Sequence, residues 1–515
     1  MDTFKNATEY ISIVFGAYLT VLAVLRLLNL LQQSHYHFSG FIPILRYYYY
    51  RFGLFLIPFV IFIFLLGNWY VQIIYSLYGG ALVWYYKKHK PIIELNVTPR
   101  IKRLLFTILI VTVSVGTLLH YFLPLPQLHS SLVIIYILLP LLIFLAAGIN
   151  YPIEYSIAKY YQSMAKNKLK KYHTIVIGIT GSYGKTSTKN ILYSFLKEKE
   201  MVICTDKSYN TLNGIALNIN QKLFPEHRYL IAEMGASRKG DIKKLNAFIK
   251  PQYGIVTAVG PQHLKTFKSM ENIVTEKMRL IVSLPHTGIG IINNDDSAIA
   301  GCPVKTEARI VTFGIESPAD YRATHIKTGI DGLYFTINYP GGAAEIKAGL
   351  LGYHNIYNIL AGFALARELG VSVSEIVFQA SRLEPVKNRL SVTEEGGLTI
   401  LEDAFNSNYH GFINALAVLA NGKELKILIT PGIVETGQME KQLNYALSEK
   451  ISQVCDFVVL IKSKTGMIIK DGLDNNKFSN YILADNYKTA INYVKNNFSK
   501  ATVLIENDIA DIYKI

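Results

Sequence analysis

Cysteine is scarce in this 515-residue chain, and negative charge is scarce in its first third. The three cysteines, Cys204, Cys302 and Cys455, stand far apart without paired spacing, which excludes a disulfide framework and a cysteine zinc site. Residues 1–171 set fifteen Lys/Arg against Asp2, Glu9, Glu94 and Glu154, so a net of +11 of the chain's +15 lies there. The remaining +4 is ordinary, which argues against a nucleic-acid partner. The basic excess instead flanks apolar runs, where it would face anionic lipid headgroups. No internal repeat, low-complexity tract or cleavable signal pattern is present, and the first apolar run reads as a retained anchor. The apolar runs also lack a deep ionisable pair. Arg26 is their one clear charge and, near a helix end, can snorkel, so the pattern argues against a transport pathway.

Apolar residues are plentiful, half of the chain, and concentrate before Asn150. Runs near Ile11–Leu31, Leu54–Leu66, Trp69–Tyr86, Leu104–Phe122 and Leu132–Ile149 approach the roughly 20 residues that cross a bilayer. The second is short and, with the third close behind, also fits a re-entrant hairpin. Lys/Arg fall in the 1–2 loop, the 3–4 loop and after the fifth run, and are absent from the other two turns. Basic loops stay cytoplasmic. Five spans therefore put the N-terminus outside and everything after 150 inside, a multi-pass protein of the cytoplasmic (inner) membrane with its later domains in the cytoplasm. Residues 151–171 are basic and amphipathic, fitting a helix on the membrane surface or a solvated linker helix.

The densest chemical signal is Gly178-Ile-Thr-Gly-Ser-Tyr-Gly-Lys-Thr-Ser-Thr188, between an apolar run at His173–Ile177 and a helical pattern at Ser187–Lys197. Strand, glycine turn and helix N-terminus make a cradle for phosphate, with backbone N–H groups and the helix dipole aimed at the anion. Gly181, Ser182, Gly184, Lys185, Thr186 and Ser187 are the candidate nucleotide contacts. Lys185 is placed to reach the β- and γ-phosphates, and the Thr186 hydroxyl to ligate Mg²⁺. The spacing departs from G-x-x-x-x-G-K-[ST], since Ile179 stands where the first glycine is expected.

Beyond it, strand-like runs at Thr174–Ile179, Met201–Thr205, Tyr229–Glu233 and Gly254–Val259 alternate with helical patterns, implying a mainly parallel sheet with helices on both faces. Residues 307–349 read as a small antiparallel insertion. The pattern restarts near Glu384-Pro385, with strands at Leu398–Leu401, Leu425–Ile429, Phe457–Ile461, Tyr481–Ala484 and Thr502–Ile505. The fold class is thus an α-helical membrane domain (1–150), a basic linker (151–171), and two α/β domains (172–384 and 385–515). A short hinge between the two α/β domains suggests a closing cleft.

Five further motifs follow the glycine loop: Glu233-Met-Gly-Ala, Val259-Gly-Pro-Gln-His263-Leu, Asn293-Asn-Asp-Asp296, His354-Asn-Ile-Tyr-Asn358 and Asp403-Ala-Phe-Asn406-Ser-Asn408. Each residue has a plain reading: Glu233 a strand-end carboxylate, His263 a capping or core histidine, Lys277 a surface lysine, Asp403 and Asn406 turn formers. Taken in order over some 340 residues, however, they resemble the Mur ligases, ATP-dependent amide-bond-forming enzymes of peptidoglycan synthesis, and most resemble the MurF type. The resemblance implies a P-loop central domain, a Rossmann-like last domain, and a ligase that adds D-alanyl-D-alanine to a muramoyl-tripeptide precursor through an acyl phosphate.

It also implies roles and cofactors. ATP and Mg²⁺ are the expected cofactors. Lys185, His263 and Lys277 would be catalytic, and Thr186, Glu233, His263 and Lys277 would surround the metal. Lys277 matches the family's carbamoylated lysine, whose carbamate is anionic where an ammonium would repel Mg²⁺. Asn293, Asn358, Arg389 and Asp403 would contact ATP. Asn210, Thr211, Asn406 and Asn408 would bind substrate. The implied partners are a small-molecule or lipid-linked cell-wall precursor, the lipid bilayer and a complex of cell-wall enzymes.

The chain departs from the family before the loop, where apolar runs replace a soluble nucleotide-sugar domain. Tyr409 also stands where proline is usual, and Asn388 where glycine usually precedes the arginine. These changes leave the ATP chemistry in place and three readings open. One is a membrane-anchored MurF-like ligase, one a related ligase whose carboxylate substrate is lipid-linked, and one an ATP-driven membrane transport or regulatory protein.

Overall fold

Runs of isoleucine, valine and leucine too short for helices, each closed by glycine, asparagine or a turn, form the strands of the second half of the chain. The computed structural model describes residues 2–34, 36, 65, 68–88, 94–122, 128–206, 209–329, 331–385, 390–403, 409–422, 424–434 and 439–506. It divides into two compact units after Ala158.

The first unit is helical: Asp2–Gln33, Trp69–Lys88, Pro99–Phe122 and the first part of Leu128–Tyr172. Among the described residues, three segments are long and apolar enough to cross a membrane by length and composition: Asn6–Gln33, Pro99–Phe122 and Ser131–Tyr172. Their packed faces meet around Leu27, Leu104, Ile108 and Leu139. Their outer faces are apolar too, with Val14, Phe106, Leu109, Val113 and Leu145 exposed. Polar contacts are few and specific: Thr8 Oγ donates to Gln72 Oε1 (2.9 Å), and Arg103 Nε donates to Glu154 (2.7 Å). The expected run at Leu54–Leu66 lies outside the described residues except for Leu65. The fifth run and the basic stretch after it are one helix, Leu128–Tyr172, which carries Pro140 and Pro152 in its interior.

The second unit holds two sheets. The larger has the order β2-β3-β1-β4-β5-β6-β7-β8-β9. Its strands are β1 (Ile175–Thr180), β2 (Val202–Cys204), β3 (Tyr229–Glu233), β4 (Tyr253–Val256), β5 (Ile289–Asn293), β6 (Arg309–Gly314), β7 (Tyr321–Gly329), β8 (Gly332–Tyr339) and β9 (Gly342–Ala348). β1 is buried along nearly its whole length, as a central parallel strand covered on both faces must be. Helices Lys185–Leu196 and His354–Glu368 cover one face, and Leu212–Lys222, Asp241–Ile249 and Met270–Val282 the other. The stretch expected as a small antiparallel insertion differs in detail. β6 runs parallel to β5 and β7 parallel to β6, and β8 and β9 then continue the same sheet antiparallel. The reason is a shared core: Phe313, Tyr321, Phe335 and Ile337 pack with Ile359 and Phe363 of the helix that also covers β5.

The smaller sheet has the order β10-β11-β15-β12-β13-β14: β10 (Ser391–Glu395), β11 (Leu398–Asp403), β12 (Leu425–Thr430), β13 (Phe457–Ile461), β14 (Tyr481–Ala484) and β15 (Ala501–Glu506). All pairings are parallel except the β10–β11 hairpin. Alternation divides its strands between two cores. Leu428, Val458, Leu460 and Leu504 meet helices Tyr409–Ala420, Glu440–Val454 and Lys464–Asn475, while Ile427, Ile429, Val459 and Val503 meet Tyr487–Asn497. The larger sheet's parallel strands end together at β1, β3 and β4, and that edge carries the polar motifs.

Candidate active site

At the end of β1 the chain turns through Gly181–Gly184 into the helix Lys185–Leu196. Gly184, the residue before the helix, has φ 79°, and a Cβ there would collide with Asn358 Oδ1. Only glycine fits. Ser182 fixes the turn from the side: its N–H donates to Ala258 O (2.6 Å), and its Oγ accepts from Gly260 N (3.0 Å). Lys185 curls back over the loop, its ammonium donating to Gly181 O (2.7 Å) and Ser182 O (3.0 Å). The loop therefore sets a helix N-terminus and the Lys185 ammonium side by side, an arrangement suited to an anion.

Glu233, the last residue of β3, is buried beside it. Its Oε2 accepts from Thr186 Oγ (2.8 Å) and its Oε1 from Asn210 Nδ2 (3.1 Å). Lys189 Nζ stands 3.5 Å from Oε2 and donates to Thr205 O (2.6 Å). Lys277 projects from the helix Met270–Val282 and is almost completely buried. Burial, and then the Lys185 ammonium, push its pKa well below the usual lysine range, outweighing Glu276, Asp241 and Glu233. Hard oxygen donors at Thr186 and Glu233 suit Mg²⁺, and the structure brings them into contact. Among the described residues, no group of three or more His, Cys, Asp or Glu is close enough to hold a metal.

The other motif residues stand on several elements. His263 precedes the short helix Leu264–Phe267 with a left-handed backbone, φ 55°. Asn293, at the end of β5, donates to Thr257 O (3.1 Å), so it braces β4 where β4 meets the loop. Asn358 accepts from Thr188 Oγ (3.1 Å) and donates to Asn355 Oδ1 (2.8 Å), a buried chain that ties His354–Glu368 to the loop's helix. Thr211 caps the helix Leu212–Lys222 through Gly214 N. Asp403 ends β11 in the smaller sheet. Ser187 lines a cavity of about 640 Å³ with Asn190, Asn355, Arg382 and Glu384, beside the loop's helix rather than in its cradle. Arg389, Asn406 and Asn408 lie outside the described residues. A second cavity of about 610 Å³, among Lys243, Lys250, Arg279 and Pro285, lies at the starts of β4 and β5 and shares no residue with the loop.

Thr188, Lys189 and Asn355 stand in the motif stretches but were given no role, and Thr257 was not singled out. One signal for Lys189 was present. It shares the buried helix face with Ile191, Leu192, Phe195 and Leu196, and a lysine interrupting an apolar face calls for a buried partner.

Residues 179–366 match the Mur ligase middle domain. Over 250 residues the chain is 34% identical to the UDP-N-acetylmuramoyl-tripeptide--D-alanyl-D-alanine ligase of Mycobacterium tuberculosis (strain ATCC 25618 / H37Rv), covering 48% of each chain. It thus spans about half the length of that curated relative. The ligase of the same description from Bacillus subtilis (strain 168) is 27% identical over 355 residues, 67% of this chain and 75% of that one. In three dimensions the chain is similar to the MurF ligase of Thermotoga maritima crystallised in complex with ADP: TM-score 0.62, 25% identity, 69% of this chain and 81% of that one. MurF from Acinetobacter baumannii, at 22% identity and TM-score 0.61, shares the fold.

Proposed function

Because the chain carries a Mur ligase middle domain and is MurF-like in sequence and fold, we propose that it is an ATP-dependent, ADP-forming amide-bond ligase. Its proposed reaction joins D-alanyl-D-alanine to a muramoyl-tripeptide cell-wall precursor. The observation that carries this reading is the loop at the end of β1, where a helix N-terminus and the Lys185 ammonium converge beside the buried Thr186–Glu233 pair.

The chemistry follows from that arrangement. The substrate carboxylate attacks the γ-phosphorus of ATP in line, the bond to the β-phosphate oxygen breaks, and ADP and an acyl phosphate result. The amine of the incoming dipeptide then attacks the acyl carbon, phosphate leaves, and an amide remains. Lys185 and the loop N–H groups neutralise charge that grows on the phosphoryl oxygens. Mg²⁺ would be held by Thr186 and Glu233, with His263 and Lys277 as the further ligands the resemblance implies, and would draw off more of that charge. Lys277 is suited to carbamoylation, since its lowered pKa favours the neutral amine that adds carbon dioxide. Arg389, Asp403, Asn406 and Asn408 would approach from the last domain, Asn293 and Asn358 would support the nucleotide, and Asn210 and Thr211 would position the precursor. Water exclusion matters because an acyl phosphate hydrolyses readily.

The helical unit is read as a multi-pass anchor in the cytoplasmic membrane, with the α/β domains inside. Helices apolar on their outer as well as their packed faces suit a lipid surround. The same feature favours a second reading, in which the carboxylate substrate is lipid-linked.

Phosphate release from ATP by detergent-purified protein tests the proposal, with UDP-N-acetylmuramoyl-tripeptide and D-alanyl-D-alanine supplied singly and together. Release that needs both, with the pentapeptide seen by mass, is expected. Lys185→Ala should lower it roughly 100- to 1,000-fold, as loss of one transition-state donor does. Nucleotide binding without stimulation by this pair would overturn the UDP-linked substrate and leave the lipid-linked one.

A further inference from the structure

Lys189 is one of the largest side chains fully buried in the second unit, and the reaction scheme above gives it no task. A lysine with a relative exposure of 1% is costly unless its charge is matched and its N–H groups are used. Its ammonium meets both needs in one place, facing Glu233 Oε2 at 3.5 Å and donating to Thr205 O at 2.6 Å. Thr205 follows β2 and leads towards Asn210. Asn210 is clipped twice to the end of β3: its Nδ2 donates to Glu233 Oε1 (3.1 Å), and its carbonyl accepts from Gly235 N (2.8 Å). Thr205 Oγ also accepts from Glu233 N (3.1 Å). Glu233 is therefore shared by Thr186 on the loop, Lys189 one turn further along the same helix, and Asn210 on the precursor side.

We propose that Lys189 is a positioning residue that holds the Glu233 carboxylate and the Thr205 carbonyl as one rigid link. Through that link, metal–nucleotide binding at the loop and ordering of the Asn210 segment on the precursor side are coupled. Three groups compete for the two carboxylate oxygens of Glu233. Without Lys189 the carboxylate loses the buried charge that faces its Oε2 and the tie through Lys189 to the Thr205 carbonyl, and the link between the two sides loosens. The inference rests on the reading of the loop as a nucleotide site.

The test compares wild type, Lys189→Met and Lys185→Ala for binding of a non-hydrolysable ATP analogue, once with Mg²⁺ and once with EDTA. Met keeps the length and apolar stem of lysine and removes the charge. The gain in affinity on adding Mg²⁺ should fall about tenfold in Lys189→Met, within the usual range of coupling between linked sites. Affinity in EDTA should stay within about twofold, because the loop is untouched. A merely structural role would lower both affinities together, and that result overturns the proposal, as does an unchanged Mg²⁺ gain. Wild type alone supplies a second arm. Hydrogen exchange at residues 209–211 and at Glu233 should slow when the Mg²⁺–analogue complex is added and not when the analogue is added in EDTA. Equal exchange in both overturns the coupling even if Lys189→Met does not fold. Wild type that binds no nucleotide overturns both readings. Binding lost in Lys185→Ala but unaltered in Lys189→Met overturns this one alone.

Discussion

Asp295 shows how a residue of the N-x-D-D motif serves the fold. Burial alone would raise its pKa, but N–H donors from Ile315, Ser317 and Glu316 and the Tyr357 hydroxyl hold it below the usual carboxylate range. A depressed folded-state pKa contributes stability that is present above the unfolded value near 4 and fades as pH falls through the folded one. Asp295→Asn should cost roughly 2 kcal/mol at pH 7, since charge-assisted hydrogen bonds are weakened and one oxygen is replaced by a donor. Urea unfolding at pH 7 and below pH 4 checks this: the gap to wild type should narrow at the lower pH, and a constant gap rejects the electrostatic part. Gly235 is a second residue whose identity follows from a close approach, since a Cβ there would sit 2.7 Å from Asn210 Cγ. Gly235→Ala should cost about 1–3 kcal/mol by overpacking and displace Asn210 from Glu233. If stability and precursor affinity both match wild type, the contact is not what holds that segment.

At the scale of elements, legibility followed burial. Most of the strands read from the sequence stand within a residue or two of their places in the structure, but the run read to Val259 ends at Val256, β5 was not singled out, and β6 fell inside the stretch read as antiparallel. β10 was not read from the sequence because four of its five residues are exposed at a sheet edge, so nothing in its composition distinguishes it from a turn. The motifs announced the loop and Glu233, because glycine spacing and a strand-end carboxylate are local signals. Thr188, Asn355 and Asn358 all stand in the motifs, but the chain they form was hidden, because a hydrogen bond between residues 170 apart leaves no local signal. That chain carries its own prediction. Asn358→Ala leaves Thr188 Oγ and Asn355 Oδ1 buried without this partner, at about 1–3 kcal/mol. Because Asn358 also backs Gly184, nucleotide affinity should drop along with thermal stability. A variant that loses stability while keeping full affinity would confine Asn358 to the core.

On the scale of the whole molecule, the question is where the α/β machinery begins. The sequence suggested a boundary after 171, because the apolar run ends at 149 and a basic stretch follows. The structure gives residues 159–172 a packed role in the second unit. Ala165 is fully buried in one of its cores, with Leu169 and Tyr172 against the same cluster as Leu223, Phe248 and Ile219. Lys168 Nζ donates to Asn220 O (2.7 Å), and Asn220 Nδ2 donates to Tyr161 O (2.8 Å). Two shortened chains separate these possibilities. One beginning at Lys159 should be soluble without detergent, melt in a single transition and bind ATP as the full chain does, because its cores are complete. One beginning at His173 uncovers an apolar strip on helices Leu212–Lys222 and Asp241–Ile249. It should lose several kcal/mol, at about 25 cal/mol for each Å² of apolar surface returned to water, and tend to aggregate. Calorimetry and light scattering on the two proteins decide it. Equal stability would mean that the basic segment is a tether, whereas the expected loss makes it part of the domain that it joins to the apolar helices.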